Sequence, residues 1–218
     1  MRHFVFVLII CPVLCHAAII NVPDDHTPTI QAGINFAQEM DTVLVAEGHY
    51  LEKINLNGKN IVLASDYILD NKTSHIANTI IDGNFDTPEI EHIISVNSGE
   101  DSNTMIIGFT IIDGNSRSSS QGNTDCGIYC RNSSPKISNC VFSSLYGAGI
   151  SCINSSPYIS DCFFDNTNRG IHADSSSSII VKLCDFGDST LFKGSKGGSI
   201  HALNSSSVEI ENCTIKHG

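Results

Sequence analysis

Four residues of this chain are placed to act together. Tyr129, Ser151, His172 and His201 each follow an isoleucine (Ile128, Ile150, Ile171 and Ile200) that holds the same place in four copies of one short segment. If the copies stack, the four side chains form one outward column ending in two imidazoles on adjacent turns. Such a pair can bind a metal ion or polarise a substrate. The plainer reading is an ordinary exposed stripe. Elsewhere the spacing for a resident metal is missing, with no Cys-x2-Cys pair and no Asp-x-Asp-x-Asp-Gly loop. No cofactor is expected.

The elements that must position the column are written in the repeat. Gly127 to Phe142 reads Gly-Ile-Tyr-Cys-Arg-Asn-Ser-Ser-Pro-Lys-Ile-Ser-Asn-Cys-Val-Phe, and Gly149 to Phe164 restates it 22 residues later. Degraded copies run from Gly170 to Cys184 and from Ser199 to Cys213. A fixed period of this length, built from short strands and turns, makes each unit one rung of a solenoid. The near copies Thr79–Asn84 and Thr110–Asn115, both Thr-Ile-Ile-Asp-Gly-Asn, extend the pattern toward the N-terminus. Polar stretches at 116–124 and between Phe186 and Gly198 read as loops thrown out from the stack.

Stacking turns equivalent positions into columns. Ile150, Cys152, Ile159, Cys162 and Phe164 are inward candidates, and each buried isoleucine contributes about 1.5–3 kcal/mol. Cys140, Cys162, Cys184 and Cys213 share one place, as do Cys130 and Cys152. Neighbouring rungs lie about 4.8 Å apart with side chains parallel, which favours an interior ladder of free thiols over disulfides. Two polar rails follow, Asn132, Asn154, Asp174 and Asn204, and then Asn139, Asp161 and Asn212. Asparagine suits tight left-handed corners and can hydrogen-bond to its counterpart above and below. Asn71, Asn132, Asn154, Asn204 and Asn212 lie in Asn-x-Ser/Thr triplets, four of which the repeat explains without any sugar.

The front of the chain differs. Residues 1–17 combine a basic start, an apolar stretch and a small final residue, and read as a cleaved secretory signal. The stretch is too short to span a bilayer. A cap is expected over 18–47, with Thr27 capping a short helix, Pro28 in its first turn, and Ile30, Ile34, Ala37 and Met40 along its apolar stripe. Coils then fill 48–218, with Asn57-Gly58 marking a corner and Ile54, Leu56, Ile61 and Leu63 on one face. The stack is expected to continue past Gly218 or to meet a partner there, because a bare last rung leaves an unpaired edge.

The Asn-Ser-Ser-Pro-x-Ile-Ser-Asn/Asp-Cys copies resemble right-handed parallel β-helix repeats of the pectin-lyase-like superfamily. The segment Thr29-Ile30-Gln31-Ala32-Gly33-Ile34, through Asp41–Val45 to Gly48-His49-Tyr50, is similar to the cap and first coil of exported bacterial members. Glu47 and His49 stand where Pro and Thr are more usual. The resemblance implies an all-β fold, a right-handed single-stranded parallel β-helix with a short N-terminal capping helix.

That fold carries many functions. The superfamily's lyases pair calcium-binding acids with a base, and its hydrolases place several Asp, a His-Gly and an Arg-x-Lys on one wall. This chain has no Gly-x-Asp-Asp and no Arg-x-Lys, and its one His-Gly is His217-Gly218. Asp82 and Asp113 read as corner residues, and Arg131 and Arg169 as solvated ones. A formal charge of −11, with 12 Lys and Arg against 23 Asp and Glu, disfavours nucleic acid and anionic membrane surfaces. The expectation is a secreted or cell-surface protein that binds a polysaccharide or cell-surface glycan without cleaving it. A polysaccharide lyase or glycoside hydrolase, with calcium only in the lyase case, is the alternative. A stalk of a larger adhesin-like protein is the third reading.

Overall fold

The computed structural model describes residues 17–84, 92–112, 126–187 and 199–216. All strand pairings among them are parallel and form three walls. The first wall has eight strands, from Ile19–Val22 and Thr42–Val45 to Ser178–Lys182 and Ser207–Glu211. The second has seven, from Gly48–Leu51 to Thr214–Ile215, and the third has six, from Ile54–Asn55 to Ile200–Ala202. Each turn of chain passes through the walls in that order. The molecule is an all-β right-handed parallel β-helix, as the resemblance implied.

The interior consists of the expected columns. Ile128, Ile150, Ile171 and Ile200 are register partners along the third wall. Phe142, Phe164 and Phe186 stack inside the second wall with centroids 4.8 Å apart and planes within 6°. These rings lie against a column of glycines. A Cβ on Gly149 would sit 2.7 Å from Phe164 Cδ1 and 2.8 Å from Gly170 O, so only glycine fits there. Cys140, Cys162 and Cys184 are buried free thiols, as are Cys130 and Cys152, and Cys213 is half-buried. The Cys140, Cys162 and Cys184 Sγ–H groups donate to Ser138, Ser160 and Lys182 carbonyls at 3.2–3.3 Å.

Tight left-handed corners join the walls. Asn132, Asn139, Asn154, Asp161, Asn204 and Asn212 have φ between 47° and 54°, and Asn154 Nδ2 donates to Asn132 Oδ1 at 2.8 Å. Two rail positions differ from the sequence reading. Asp174 pairs with Ile153, not Asn154, and the left-handed residues are Ser175 and Ser176, because an extra serine lengthens that corner. Asp174 still joins the rail by accepting from Asn204 Nδ2 at 2.6 Å. Leu183, exposed, takes the corner between Asp161 and Asn212 with φ 54°.

The front shows further corrections. The helix spans Ile30–Phe36, and its cap is Thr29, whose hydroxyl accepts from Ala32 N. Thr27 instead donates to Asn21 O at 2.6 Å from a buried site. Ile30, Ile34 and Ala37 are buried, but Met40 lies past the helix, exposed, with φ 69°. The first rung clamps both helix ends. Glu52 accepts from Ile30 N and Gln31 N at 3.0 Å, and Lys59 Nζ donates to the Ile34, Asn35 and Ala37 carbonyls at 2.7–2.9 Å, charges matched to the exposed N–H and C=O ends. The two Thr-Ile-Ile-Asp copies also stack one residue out of sequence register. Ile80 faces Thr110 and Ile81 faces Ile111, which keeps Ile81 and Ile111 inside. Matching the letters would have turned one strand inside out. Residues 1–16, 85–91, 113–125, 188–198 and 217–218, including most of the leader and both polar loops, lie outside the described residues.

Candidate functional site

The third wall builds the candidate site by simple alternation. In the strands Cys126–Arg131, Ala148–Ile153 and Arg169–Asp174, the isoleucine and the residue two further on face the core. The residue between them faces out. Parallel pairing then aligns Tyr129 with Ser151, Ser151 with His172, and His172 with His201. The column begins two rungs earlier than the sequence reading placed it, at Asn55, the register partner of Ser95, which in turn pairs with Tyr129. The signal was present in Ile94-Ser95-Val96, which keeps the apolar-x-apolar pattern without the cysteine.

The column is not an exposed stripe. Ser151 is 0% and His172 2% exposed, and Tyr129 and His201 are half-buried. Ser151 Oγ, both ring nitrogens of His172 and Nδ1 of His201 have no hydrogen-bond partner, nor has Asn168 Oδ1 beside them. Buried polar atoms are nearly always paired, and each unpaired one costs about 1–3 kcal/mol. Several on one wall therefore make it the candidate site. Burial, with the Arg169 and His201 charges as lesser causes, lowers the His172 pKa from 6.5 to about 4, so its ring is neutral at pH 7. The His172 and His201 rings are tilted by 44° with centroids 5.6 Å apart.

Two neighbours were missed by sequence reasoning. His92 stacks on Tyr129 with centroids 3.9 Å apart and planes at 17°, and its Nδ1 lies 3.4 Å from Cys126 Sγ. Arg169 is not solvated. It opens a third-wall strand, half-buried, and burial lowers its pKa. Arg131 ends another strand of that wall and is exposed. Both arginines among the described residues therefore sit on one wall of a chain whose formal charge is −11.

The other side-chain cluster lies on the second wall and is internally paired. Asp82, expected to be a simple corner, lies 2.7 Å from His49 Nε2 and accepts from Asn84 N at 2.8 Å. His75 lies 2.7 Å from Glu47 and 3.3 Å from Asp70, although its Nδ1 is not aligned for a hydrogen bond. Among the described residues no group of three His, Cys, Asp or Glu is spaced to hold a metal. No helix among them is long and apolar enough to cross a membrane.

Three parallel walls, asparagine corners and one outward polar column define a parallel β-helix protein. The chain belongs to the right-handed β-helix family, whose "Right handed beta helix region" profile matches residues 92–218. Among solved structures, it is similar to a pectin methylesterase in complex with a hexasaccharide (TM-score 0.59, 12% identity, 88% of this chain and 66% of that one). It is also similar to pectin methylesterase PemA from Erwinia chrysanthemi (TM-score 0.57, 12% identity, 89% and 66%). The chain thus spans 66% of the length of each, and at this identity the likeness is one of fold. No curated protein sequence matches the chain.

Proposed function

We propose that this chain is a secreted β-helix module that binds a polysaccharide along the outer face of its third wall without cleaving it. The observation that carries this reading is the aligned column of buried polar atoms without partners, Ser151 Oγ, His172 Nδ1 and Nε2, and His201 Nδ1. Sugar hydroxyls are donors and acceptors of the kind such atoms lack, and a neutral histidine offers one of each. Rungs repeat every 4.8 Å or so, about the length of a sugar ring in a linear glycan, so successive sugars can meet successive rungs. Tyr129, stacked on His92, supplies an aromatic ring within the column, and His201 lies at its last rung. Ser151 and His172 are buried, so full engagement requires their cover to open. The fold is shared with a pectin methylesterase seen with a hexasaccharide, which supports a polysaccharide as the ligand class.

The test is retention of the purified protein by a panel of immobilised polysaccharides, with product analysis of the same incubations. Retention without reducing ends, unsaturated products or released methanol is expected, with Tyr129→Ala and His201→Ala each weakening it at least fivefold. Cleavage products would establish the enzymatic alternative. Retention indifferent to both substitutions, or absent from the whole panel, would overturn the assignment.

A further inference from the structure

The two histidines at the end of the column are placed to share a single ion. We propose that His172 and His201 form a two-histidine seat for a divalent transition-metal ion of the zinc, copper and nickel class. The inference concerns the same wall as the glycan reading but does not depend on it.

Three observations meet here. The two histidines are direct register partners on adjacent parallel strands, so their side chains leave the wall side by side. Their ring centroids are 5.6 Å apart. Metal–nitrogen bonds of about 2.0–2.1 Å put an ion about 3.2 Å from each ring centre, so two imidazoles on one tetrahedral ion have centres about 5.2 Å apart. The observed centroid separation lies within about 0.4 Å of that value. The third observation is the missing partners. His172 is 2% exposed with neither nitrogen bonded, and His201 Nδ1 is likewise unbonded. An ion is one of the few agents that satisfies a buried imidazole from a single direction.

The donor chemistry agrees. Neutral imidazole suits zinc, copper and nickel rather than magnesium or calcium, which prefer oxygen. Arg169 repels a cation here and Asp174 attracts one, since the two shift His172 in opposite directions. With only two protein nitrogens, the remaining coordination positions fall to water, to the Ser151 hydroxyl or to a ligand oxygen.

The experiment is calorimetric titration of the chelator-stripped, desalted full chain with Cu²⁺ and with Zn²⁺, without any glycan. One ion per chain is expected, with His172→Gln and His201→Gln each weakening affinity at least tenfold and His49→Gln leaving it unchanged. Copper bound to wild type should show nitrogen hyperfine structure in its electron paramagnetic resonance spectrum. His201 lies half-buried near the last strand, so His201→Gln keeps the test valid if His172→Gln does not fold. Absence of binding, or affinity unaltered in a folded His201→Gln, overturns the seat. Glycan retention measured in the presence of chelator is a separate readout, so loss of one proposal leaves the other standing.

Discussion

Two columns of this molecule follow one rule of construction and end differently. At the corner between the third and first walls, Ser133, Ser155 and Ser177 are buried and aligned rung by rung. Each hydroxyl has a partner. Ser133 N donates to Ser155 Oγ at 3.3 Å, Ser155 N to Ser177 Oγ at 3.1 Å, and Ser177 N to Ser206 Oγ at 3.1 Å. Glu100, itself buried, closes the ladder by accepting from Ser133 Oγ at 2.8 Å. A few residues away on the third wall, Ser151 and His172 are as deeply buried and as well aligned, with no partners. Stacking alone therefore does not leave polar atoms stranded. Where the repeat is used for stability the ladder is complete, and the incomplete column is the one for which we propose another use.

The largest expected effect comes from breaking the satisfied ladder at its closing residue. Glu100 also accepts from Gly58 N at 2.9 Å and Ser98 N at 2.8 Å. Glu100→Ala takes the acceptor from Gly58 N and Ser98 N, leaves Ser133 Oγ only the Arg131 carbonyl at 3.1 Å, and is expected to cost about 2–3 kcal/mol, read as a lower urea midpoint. A loss below 1 kcal/mol would show that the ladder is decorative and would dissolve the contrast.

Acid sharpens the comparison from the other side. The unfolded chain binds a proton at His172 near pH 6.5, and the folded chain does so only near pH 4. Within that window the unfolded state holds more protons, so stability falls as pH drops from about 6.5 to about 4. His172→Gln removes this contribution. The difference in unfolding free energy between variant and wild type should therefore shift in the variant's favour between pH 7 and pH 4.5. A pH-independent difference would mean that His172 ionises freely and is not held neutral by the wall.

How much of this was legible varies with the kind of information. Identical neighbours are predictable, because a repeat that stacks must put Ile128 on Ile150 and Cys140 on Cys162. Broken copies are less so. The extra serine after Asp174 and the slipped Thr-Ile-Ile-Asp pair look aligned as letters, but the alternation of buried side chains overrules the letters. Thr27 and Thr29 are equal candidates for capping by type. The choice fell to Thr29 because Thr27 is tied to Asn21. The candidate column could be read as a column, but not as a buried one. The alternation that places Ser151 and His172 on the outer face would by itself leave them exposed, so their burial is not written in the period. The same holds for His92 against Tyr129, a contact made across 37 residues of chain by a ring that is not part of any copy.

The smallest effects complete the contrast, and two serines four residues apart supply them. Ser155→Ala removes an acceptor from Ser133 N and a donor to Ile153 O, and should cost about 1–2 kcal/mol. Ser151→Ala removes a hydroxyl that bonds nothing, so stability should stay within about 0.5 kcal/mol of wild type or rise. The alanine relieves an unpaired buried oxygen while leaving the register of Tyr129 and His172 intact. Glycan retention should nevertheless fall, since the lost hydroxyl is one the ligand would use. Equal destabilisation by the two substitutions, measured in parallel urea titrations, would show that Ser151 has a structural partner after all. The outward column would then be one more ladder of the fold.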